Sequence, residues 1–271
     1  MGEILVLIVA AAVQSEWMLA EPKEHEPTAS LTDLPVSLSG EILRIAAQAP
    51  PPKKEEDLVL NVGAHARFAL PFGAADRSTI VYGAGLVVVD QHVSWADFFH
   101  PGWGLDVELD IFFSSNGPGA KRDPGFNYGI LLLLGTDEFE GDHVNGVGGA
   151  TIGVDNLTMN TLLVGGKVIQ TLGGGGFYAD GYVGLGVVHY ASVEGTFQGP
   201  GIVKFRDTIF ADTWTFASAF RGHAGYRLGP VGIVAGLGLR IQAPPSEGHN
   251  ISLNSGAFWT FDIDLGVEVG F

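Results

Sequence analysis

Hydrophobic and polar residues alternate along most of the chain from residue 58 onward. The last eleven residues, FDIDLGVEVGF, are the plainest case: every odd position from 261 to 271 is apolar, and the even positions carry Asp262, Asp264, Gly266, Glu268 and Gly270. Because successive side chains of a β-strand point to opposite faces, this stretch predicts a strand with one apolar face and one charged face.

The same period of two recurs in nine earlier segments, which are 58–70, 79–90, 103–113, 126–135, 147–155, 160–170, 177–190, 213–228 and 231–242. Together with 257–271 they predict an all-β chain of about ten strands. A closed antiparallel barrel with both ends of the chain on one side needs an even number of strands. Ten meets this condition, and eight is the alternative if two weak segments are not strands.

The composition indicates a membrane protein without a membrane helix. Apolar residues make up 46% of the chain and charged residues only 16%, against roughly 25% charged residues in a typical globular protein. No stretch reaches the roughly 18–20 apolar residues that a spanning helix needs. A transmembrane β-barrel resolves the contrast, because it places its apolar residues at every second position of many strands.

Three features favour a membrane barrel over a soluble β-domain, which has the same alternation. Short turns at 173–176 and 229–230 contrast with longer polar connections at 191–212 and 243–256, as in barrels with short periplasmic turns and long outer loops. The polar face is rich in Gly, which a narrow lumen needs beside long side chains. Aromatic residues near the strand ends are typical of membrane-interface girdles, and they are Tyr82, Trp103, Phe126, Tyr128, Trp214, Tyr226, Trp259 and Phe271.

The C-terminal strand resembles the signal strand of bacterial outer-membrane β-barrels, which alternates hydrophobic residues and ends in Phe. The resemblance covers 58–271 as architecture and 261–271 as a motif, and it identifies no subfamily. It implies a location in the outer membrane of a Gram-negative bacterium, with outer-membrane lipid as a partner. It also implies recognition by the barrel-assembly machinery through Phe261, Ile263, Leu265, Val267, Val269 and Phe271.

The N-terminal part predicts export. Residues 4–13 are an apolar run that is too short to span a membrane and fits the core of a signal peptide, although Glu3 precedes it where a basic residue is usual. We therefore expect residues 1–20 to be a signal peptide. Residues 21–57 are expected to be a flexible periplasmic segment with a Pro-rich linker, and residues 58–271 to be the barrel.

The polar faces of the predicted strands carry charges of both signs, and we expect them to form a network in the lumen. Buried charges in so narrow a space must be paired or hydrated. The favoured interpretation is a structural or passive barrel with a salt-bridged lumen, and the alternative is a narrow selective pore. The predicted network contains His65, Arg67, Asp106, Glu108, Asp110, Lys167, Asp180, Arg221, His223, Arg227, Arg240, Asp262, Asp264 and Glu268.

Two other classes of function are left open. An outer-membrane enzyme would use rim residues such as His189 with Ser192, or His143 with Asp142 or Glu140, but no arrangement matches a catalytic signature, and no catalytic residue is assigned. An adhesin or receptor would use 191–212 and 243–256.

Composition and motifs bear on ligands as well. The net charge of −16 argues against nucleic-acid binding, and the absence of Cys excludes disulfides and thiolate sites. The acidic stretch 137–143 could bind Ca²⁺ through its carboxylates, but it lacks EF-hand spacing and is interpreted as a solvated acidic turn. No metal site and no cofactor are predicted.

Overall fold

The computed structural model describes residues 58–76, 80–82, 86–89, 92–113, 126–172 and 176–270. The predicted signal peptide (1–20), the predicted linker (21–57) and Phe271 lie outside the described residues.

Eighteen strands, a one-turn helix and a 3-10 turn are described. In chain order they are β1 (Leu58–Phe72), β2 (Ala74–Asp76), β3 (Ile80–Tyr82), β4 (Leu86–Val89), β5 (Val93–Ser94), α1 (Trp95–Phe98), β6 (Gly102–Phe113), β7 (Phe126–Phe139), β8 (His143–Asn145), the 3-10 turn (Val147–Gly149), β9 (Thr151–Val154), β10 (Leu157–Leu172), β11 (Phe177–Tyr190), β12 (Val193–Gly199), β13 (Ile202–Ala211), β14 (Thr213–Leu228), β15 (Val231–Gln242), β16 (Ser246–Glu247), β17 (Ile251–Ser252) and β18 (Phe258–Gly270). Over these ranges, no helix is long and apolar enough to cross a membrane.

Eight long strands form a closed antiparallel barrel in the order β1-β18-β15-β14-β11-β10-β7-β6. Closure comes from β1 and β18, whose register sets Arg67 opposite Asp264. On its other side β1 pairs with β6, with His65 opposite Asp106. The fold is therefore the predicted closed antiparallel barrel, with the alternative count of eight strands.

The favoured count of ten was wrong, because the segments 79–90 and 147–155 do not cross the barrel wall. Their strands β3, β4 and β9 have only three or four residues, whereas a strand needs roughly 9–11 residues to cross a bilayer. β3 and β4 join β17 in a small sheet, and β9 pairs with β8 and β12. These pieces satisfy their backbone hydrogen bonds outside the wall.

The two ends of the barrel differ. We call the end that carries the connections 173–176 and 229–230 the turn end. The opposite end, which we call the loop end, carries the connections that contain β2–β5, β8–β9, β12–β13 and β16–β17. These form a five-stranded sheet (β16-β13-β12-β9-β8), the three-stranded sheet and the pair β2-β5. The connections 191–212 and 243–256, predicted as polar loops, are thus partly strands.

The outer wall of the barrel is apolar. Leu265 is 62% exposed and Leu237 56% exposed, and neighbouring strands present further aliphatic residues. A continuous apolar surface of this size marks contact with lipid rather than water. In lipid every backbone polar group must be paired, and the closed barrel does this without a free edge.

Aromatic residues lie near both ends of the apolar wall, as predicted for interfacial girdles. Trp103 packs on Phe68 toward the loop end, and Tyr128 packs on Phe113 toward the turn end. On β14, Trp214 and Tyr226 are twelve residues apart. At about 3.3 Å per residue and a tilt of roughly 40°, this places about 30 Å between them, close to the hydrocarbon thickness of a bilayer.

Tyr82 does not join the girdles, and that prediction was wrong. It lies on β3 in the small sheet at the loop end, where its hydroxyl donates a hydrogen bond to Asp207. The cause is the same as for the strand count: β3 is not part of the wall.

Candidate functional site

The lumen of the barrel holds the largest concentration of ionisable groups among the described residues. Inward positions alternate with lipid-facing positions on each of the eight strands, so that the charges of separate strands converge. Of the fourteen charges predicted for the lumen, all except Arg227 are at most 7% exposed. The lumen is therefore filled by its own side chains, as expected for eight strands.

An arginine layer lies nearest the loop end. Asp137 accepts two hydrogen bonds from Arg240, at 2.6 and 3.1 Å, and two from Arg67, through Nε at 3.1 Å and through Nη2. Arg240 also binds Asp262 in a bidentate manner, at 2.8 and 3.2 Å. Such paired guanidinium–carboxylate contacts are among the strongest hydrogen bonds in proteins, and they fix both partners.

Arg221 connects this layer to the next. Its Nη1 donates to Asp106 at 2.8 Å, and Arg67 donates to the same carboxylate oxygen. Its Nε lies 3.5 Å from Asp264 Oδ2, and its guanidinium stands over the ring of Tyr182, 5.5 Å from the centroid. The arginine layer and the histidine layer are thus one continuous network.

A histidine layer occupies the middle of the lumen. The rings of His65 and His223 are 5.0 Å apart, and both approach Asp264 Oδ1, through His65 Nδ1 at 3.4 Å and His223 Nε2 at 3.2 Å. The other ring nitrogen of His223 lies 2.7 Å from Asp180 Oδ1. Two imidazoles therefore converge on one carboxylate.

A lysine layer lies toward the turn end. Lys167 Nζ contacts Asp110 at 2.8 Å, Glu268 at 2.9 Å and Glu108 at 3.0 Å. An ammonium has three donors, so all of them are used. Tyr178 donates a further hydrogen bond of 2.9 Å to Glu268.

Apolar clusters cover both ends of this network. At the loop end, α1 and the residues after it pack into the barrel mouth to form what we call the aromatic cap. In this cap the ring centroids of Trp95 and Phe258 are 4.9 Å apart. Its members are Trp95, Phe98, Phe99, Phe139, Phe210 and Phe258, all buried. At the turn end the buried cluster consists of Phe112, Ile169, Tyr178 and Val234. The charged residues between these two clusters are at most 7% exposed.

Arg227 differs from the other predicted lumen residues. It is only half-buried at the turn end, and its guanidinium stacks over the ring of Tyr178, 5.1 Å from the centroid. It borders the network without an ion pair to it among the described residues.

Sequence reasoning missed Asp137, the carboxylate that joins Arg67 and Arg240. Residues 137–143 were interpreted as a solvated acidic turn, yet β7 continues to Phe139. The sequence did contain a signal for it, because Leu131, Leu133, Gly135 and Asp137 occupy alternate positions and therefore face the same side of β7. Tyr178 and Tyr182, which share the parity of Asp180, were missed in the same way.

The rim residues that were considered for catalysis do not meet as supposed. His189 Nε2 lies 3.0 Å from Asp212, whereas Ser192 donates its hydroxyl hydrogen bond to the carbonyl of Phe210. His143 is largely exposed, with its Nδ1 3.9 Å from Asp142. Neither histidine is hydrogen-bonded to a hydroxyl nucleophile among the described contacts.

A second polar cluster lies on the loop-end sheets. Tyr82 donates to Asp207 at 2.6 Å and Asn250 donates to the same oxygen at 2.8 Å. The hydrogen bond from Tyr82 is the main cause that lowers the pKa of Asp207, and the same bond raises the pKa of Tyr82. The cluster ties β3, β13 and the segment before β17 together.

The sequence matches no protein-family model and no curated protein at a significant level. Among solved structures it is similar to Neisserial surface protein A, with 10% identity, coverage of 78% of this chain and 97% of that one, and a TM-score of 0.36. It is similar to the outer membrane protease OmpT from Escherichia coli, with 10% identity, coverage of 79% and 97%, and a TM-score of 0.42. A major outer membrane protein from Thermus thermophilus gives 15% identity, coverage of 78% and 99%, and a TM-score of 0.36.

Likenesses this distant assign no function, and the class of the protein follows from its own architecture. The wall is a closed, even-numbered antiparallel barrel, with an apolar belt between aromatic residues. The short turn 229–230 lies at one end, and the connections that contain β2–β5, β8–β9, β12–β13 and β16–β17 lie at the other. These are the properties of outer-membrane barrels. The chain is an integral β-barrel protein of the bacterial outer membrane.

Proposed function

We propose that the barrel is a structural, non-conducting element of the outer membrane, held rigid by its salt-bridged lumen. The observation that carries the proposal is the burial of the lumen charges, none more than 7% exposed apart from Arg227, between two apolar clusters. A conducting pore needs a continuous hydrated path, and this arrangement has ion pairs in its place. Removing either partner of such a pair leaves a buried charge, so the network resists opening.

Conductance of the full chain in planar bilayers tests this proposal. Insertion is first established by flotation with vesicles and by resistance of the unheated protein to unfolding in detergent gels. We expect inserted protein without discrete current steps. Stable steps that change with Asp106→Asn or Asp264→Asn, but not with the outward Glu138→Gln, would instead establish the narrow pore.

A second candidate is recognition through the loop end, because its connections are folded rather than irregular. β12 and β13 pair over most of their length, and Val203 near their tip is 86% exposed. The rigid barrel would then serve as an anchor for this surface. Binding of the micelle-embedded chain to a glycan array, compared with a variant in which 199–203 are shortened to a two-residue turn, tests it. Equal binding by both forms, or by neither, would contradict it.

We also infer that β18 is the strand that the barrel-assembly machinery recognises. Phe261, Ile263, Leu265 and Val267 face outward and are exposed on the lipid side, and Phe271 continues this series in the sequence. Deletion of Phe271 is expected to lower the amount of folded barrel in the outer membrane. Deletion of Gly2 serves as the length-matched control, and equal loss in both variants would contradict the inference.

A further inference from the structure

The ionic groups of the lumen do not balance. Among the buried described residues, eight carboxylates face four Lys or Arg side chains. The carboxylates are Asp106, Glu108, Asp110, Asp137, Asp180, Asp262, Asp264 and Glu268, and the cations are Arg67, Lys167, Arg221 and Arg240. In a low-dielectric interior, surplus negative charge requires protons or a further cation.

One position in the lumen has the geometry of a metal site. One ligand atom each from His65, His223 and Asp264 lies within 4.8 Å of the other two. The two nitrogens are 3.4 and 3.2 Å from Asp264 Oδ1. Ligands at about 2.0–2.1 Å from a tetrahedral zinc ion are about 3.3 Å apart, so both separations match an edge of that tetrahedron.

A polar atom without a hydrogen-bond partner points into this position. His223 Nε2 is buried and makes no hydrogen bond, even though it lies 3.2 Å from Asp264 Oδ1. Both residues are at least nine-tenths buried. Leaving a buried polar group unpaired costs about 1–3 kcal/mol, and a bound cation would remove that cost for the imidazole nitrogen.

The second ring nitrogen of each histidine faces a carboxylate. His223 Nδ1 lies 2.7 Å from Asp180, and His65 Nε2 lies 3.7 Å from Glu108. Metal-binding histidines usually donate their other N–H to a carboxylate or carbonyl, which fixes the tautomer. A proton on His223 Nδ1 leaves the lone pair on Nε2, the atom that points at Asp264.

Glycines make room for the two rings. A Cβ on Gly236 would lie 2.2 Å from the His223 ring and 2.8 Å from Asp264 Oδ2, and a Cβ on Gly266 would lie 2.4 Å from His65 Nδ1. Any larger residue would displace the convergent atoms. The backbone thus keeps this pocket open for the ligand set.

We propose that His65, His223 and Asp264 bind a divalent transition-metal ion of the zinc type inside the barrel. Asp180 acts as a positioning residue for His223. The neighbouring His65, Glu108 and Glu268 set is also close enough for a metal, but Lys167 already supplies its cation. Arg221, 3.5 Å from Asp264, contacts the oxygen that does not face the histidines.

Metal retention by the full chain tests the proposal. The chain is refolded into micelles with Zn²⁺, treated with EDTA, desalted and measured by mass spectrometry of the metal. Because the site is buried, we expect the folded chain to keep about one ion. A refolded wild-type chain that keeps no Zn²⁺, Co²⁺ or Ni²⁺ would overturn the proposal, whatever the variants do.

Variants separate this site from binding at the surface. His223→Gln and His65→Gln are expected to lose the ion, whereas His189→Gln and His143→Gln, at the loop end, keep it. Asp180→Asn is expected to weaken the affinity roughly 10–100-fold while stoichiometry is retained at excess metal. Equal loss in His189→Gln would place the ion at the surface and contradict the proposal. Folding of each variant is checked by its mobility in unheated gels.

Discussion

Beneath the aromatic cap the lumen is filled by ion pairs, whereas the cap at the loop-end mouth is filled by aromatic rings. In the ionic region the single carboxylate of Asp137 accepts hydrogen bonds from both Arg67 and Arg240. In the cap, Trp95 packs on Phe210 and Phe258. One backbone pattern thus supports two kinds of interior: one held by directional ion pairs and one governed by the volume of its side chains. Removing a buried charge and removing a buried ring should therefore destabilise different parts of the protein.

The largest effect is expected from Asp137→Ala. The change leaves two buried guanidinium groups without their shared partner, and removal of one member of a buried ion pair costs about 3–5 kcal/mol. Denaturant unfolding in micelles measures the free energy of unfolding. The control is Glu138→Ala, the adjacent residue on the exposed side of the same strand, for which we expect a change within about 0.5 kcal/mol. Equal effects of the two variants would contradict an ionic interior.

Trp95→Ala should be next, at about 3 kcal/mol, because it leaves a cavity in the aromatic cap. It also removes the hydrogen bond from Trp95 Nε1 to the carbonyl of Ala257, at 3.0 Å. We expect faster proteolysis of the loop end while the barrel stays folded in unheated gels. Val203→Ala, at an exposed tip, should leave the proteolysis rate unchanged. Loss of the barrel itself in Trp95→Ala would mean that the two interiors are not separate.

A smaller effect, about 1 kcal/mol, is expected from Tyr82→Phe in the loop-end sheets. The lowered pKa of Asp207 in the folded state means that its stabilisation is present above its unfolded value and is lost as pH falls. The raised pKa of Tyr82 means that its share is present below its unfolded value and is lost as pH rises. The sheets should therefore be most resistant to protease between about pH 4 and pH 10. Tyr82→Phe should show less of this dependence, and an unchanged profile would exclude the pair as its source.

The smallest effect is expected from the exposed ions. Arg206 contacts Asp155 and, at 2.7 Å, Glu194 at the loop end. Solvent-exposed pairs contribute about 0–1 kcal/mol and are screened by salt. Arg206→Ala should thus lower stability by under about 1 kcal/mol, and less so at high salt. A loss of stability as large as that of Asp137→Ala would show that burial does not explain the difference between the exposed and the lumen ion pairs.

The sequence carried most information where lipid imposes the pattern. Strands such as β18 cross the bilayer, so that strict alternation assigns each residue to lipid or lumen, and closure brings β1 beside β18. The loop end obeys no such constraint. Segment 79–90 alternates like a wall strand, yet its pieces are too short to cross. Nothing local in the sequence distinguishes them from a spanning strand.

The candidate site could also be predicted only in part from the sequence. The alternation of inward and outward positions is enough to place His65 and His223 in the lumen. It does not show that they lie at the same height along the barrel axis, because β1 and β14 are not adjacent and their relative register depends on the strands between them. Asp137 was missed because an acidic turn and the end of an inward face look alike in sequence. Three-dimensional register, rather than residue type, assembles the site.

Thiol labelling tests the filled lumen most directly, because the chain contains no cysteine of its own. Single substitutions Thr161→Cys and Thr260→Cys place small thiols at buried inward positions, and Val203→Cys places one at the exposed tip. With a small water-soluble reagent, we expect rapid labelling at 203, protection at 161 and 260 in the folded barrel, and labelling at all three after unfolding. Labelling at 161 and 260 as fast as at 203 in the folded protein would contradict a lumen closed by its own side chains.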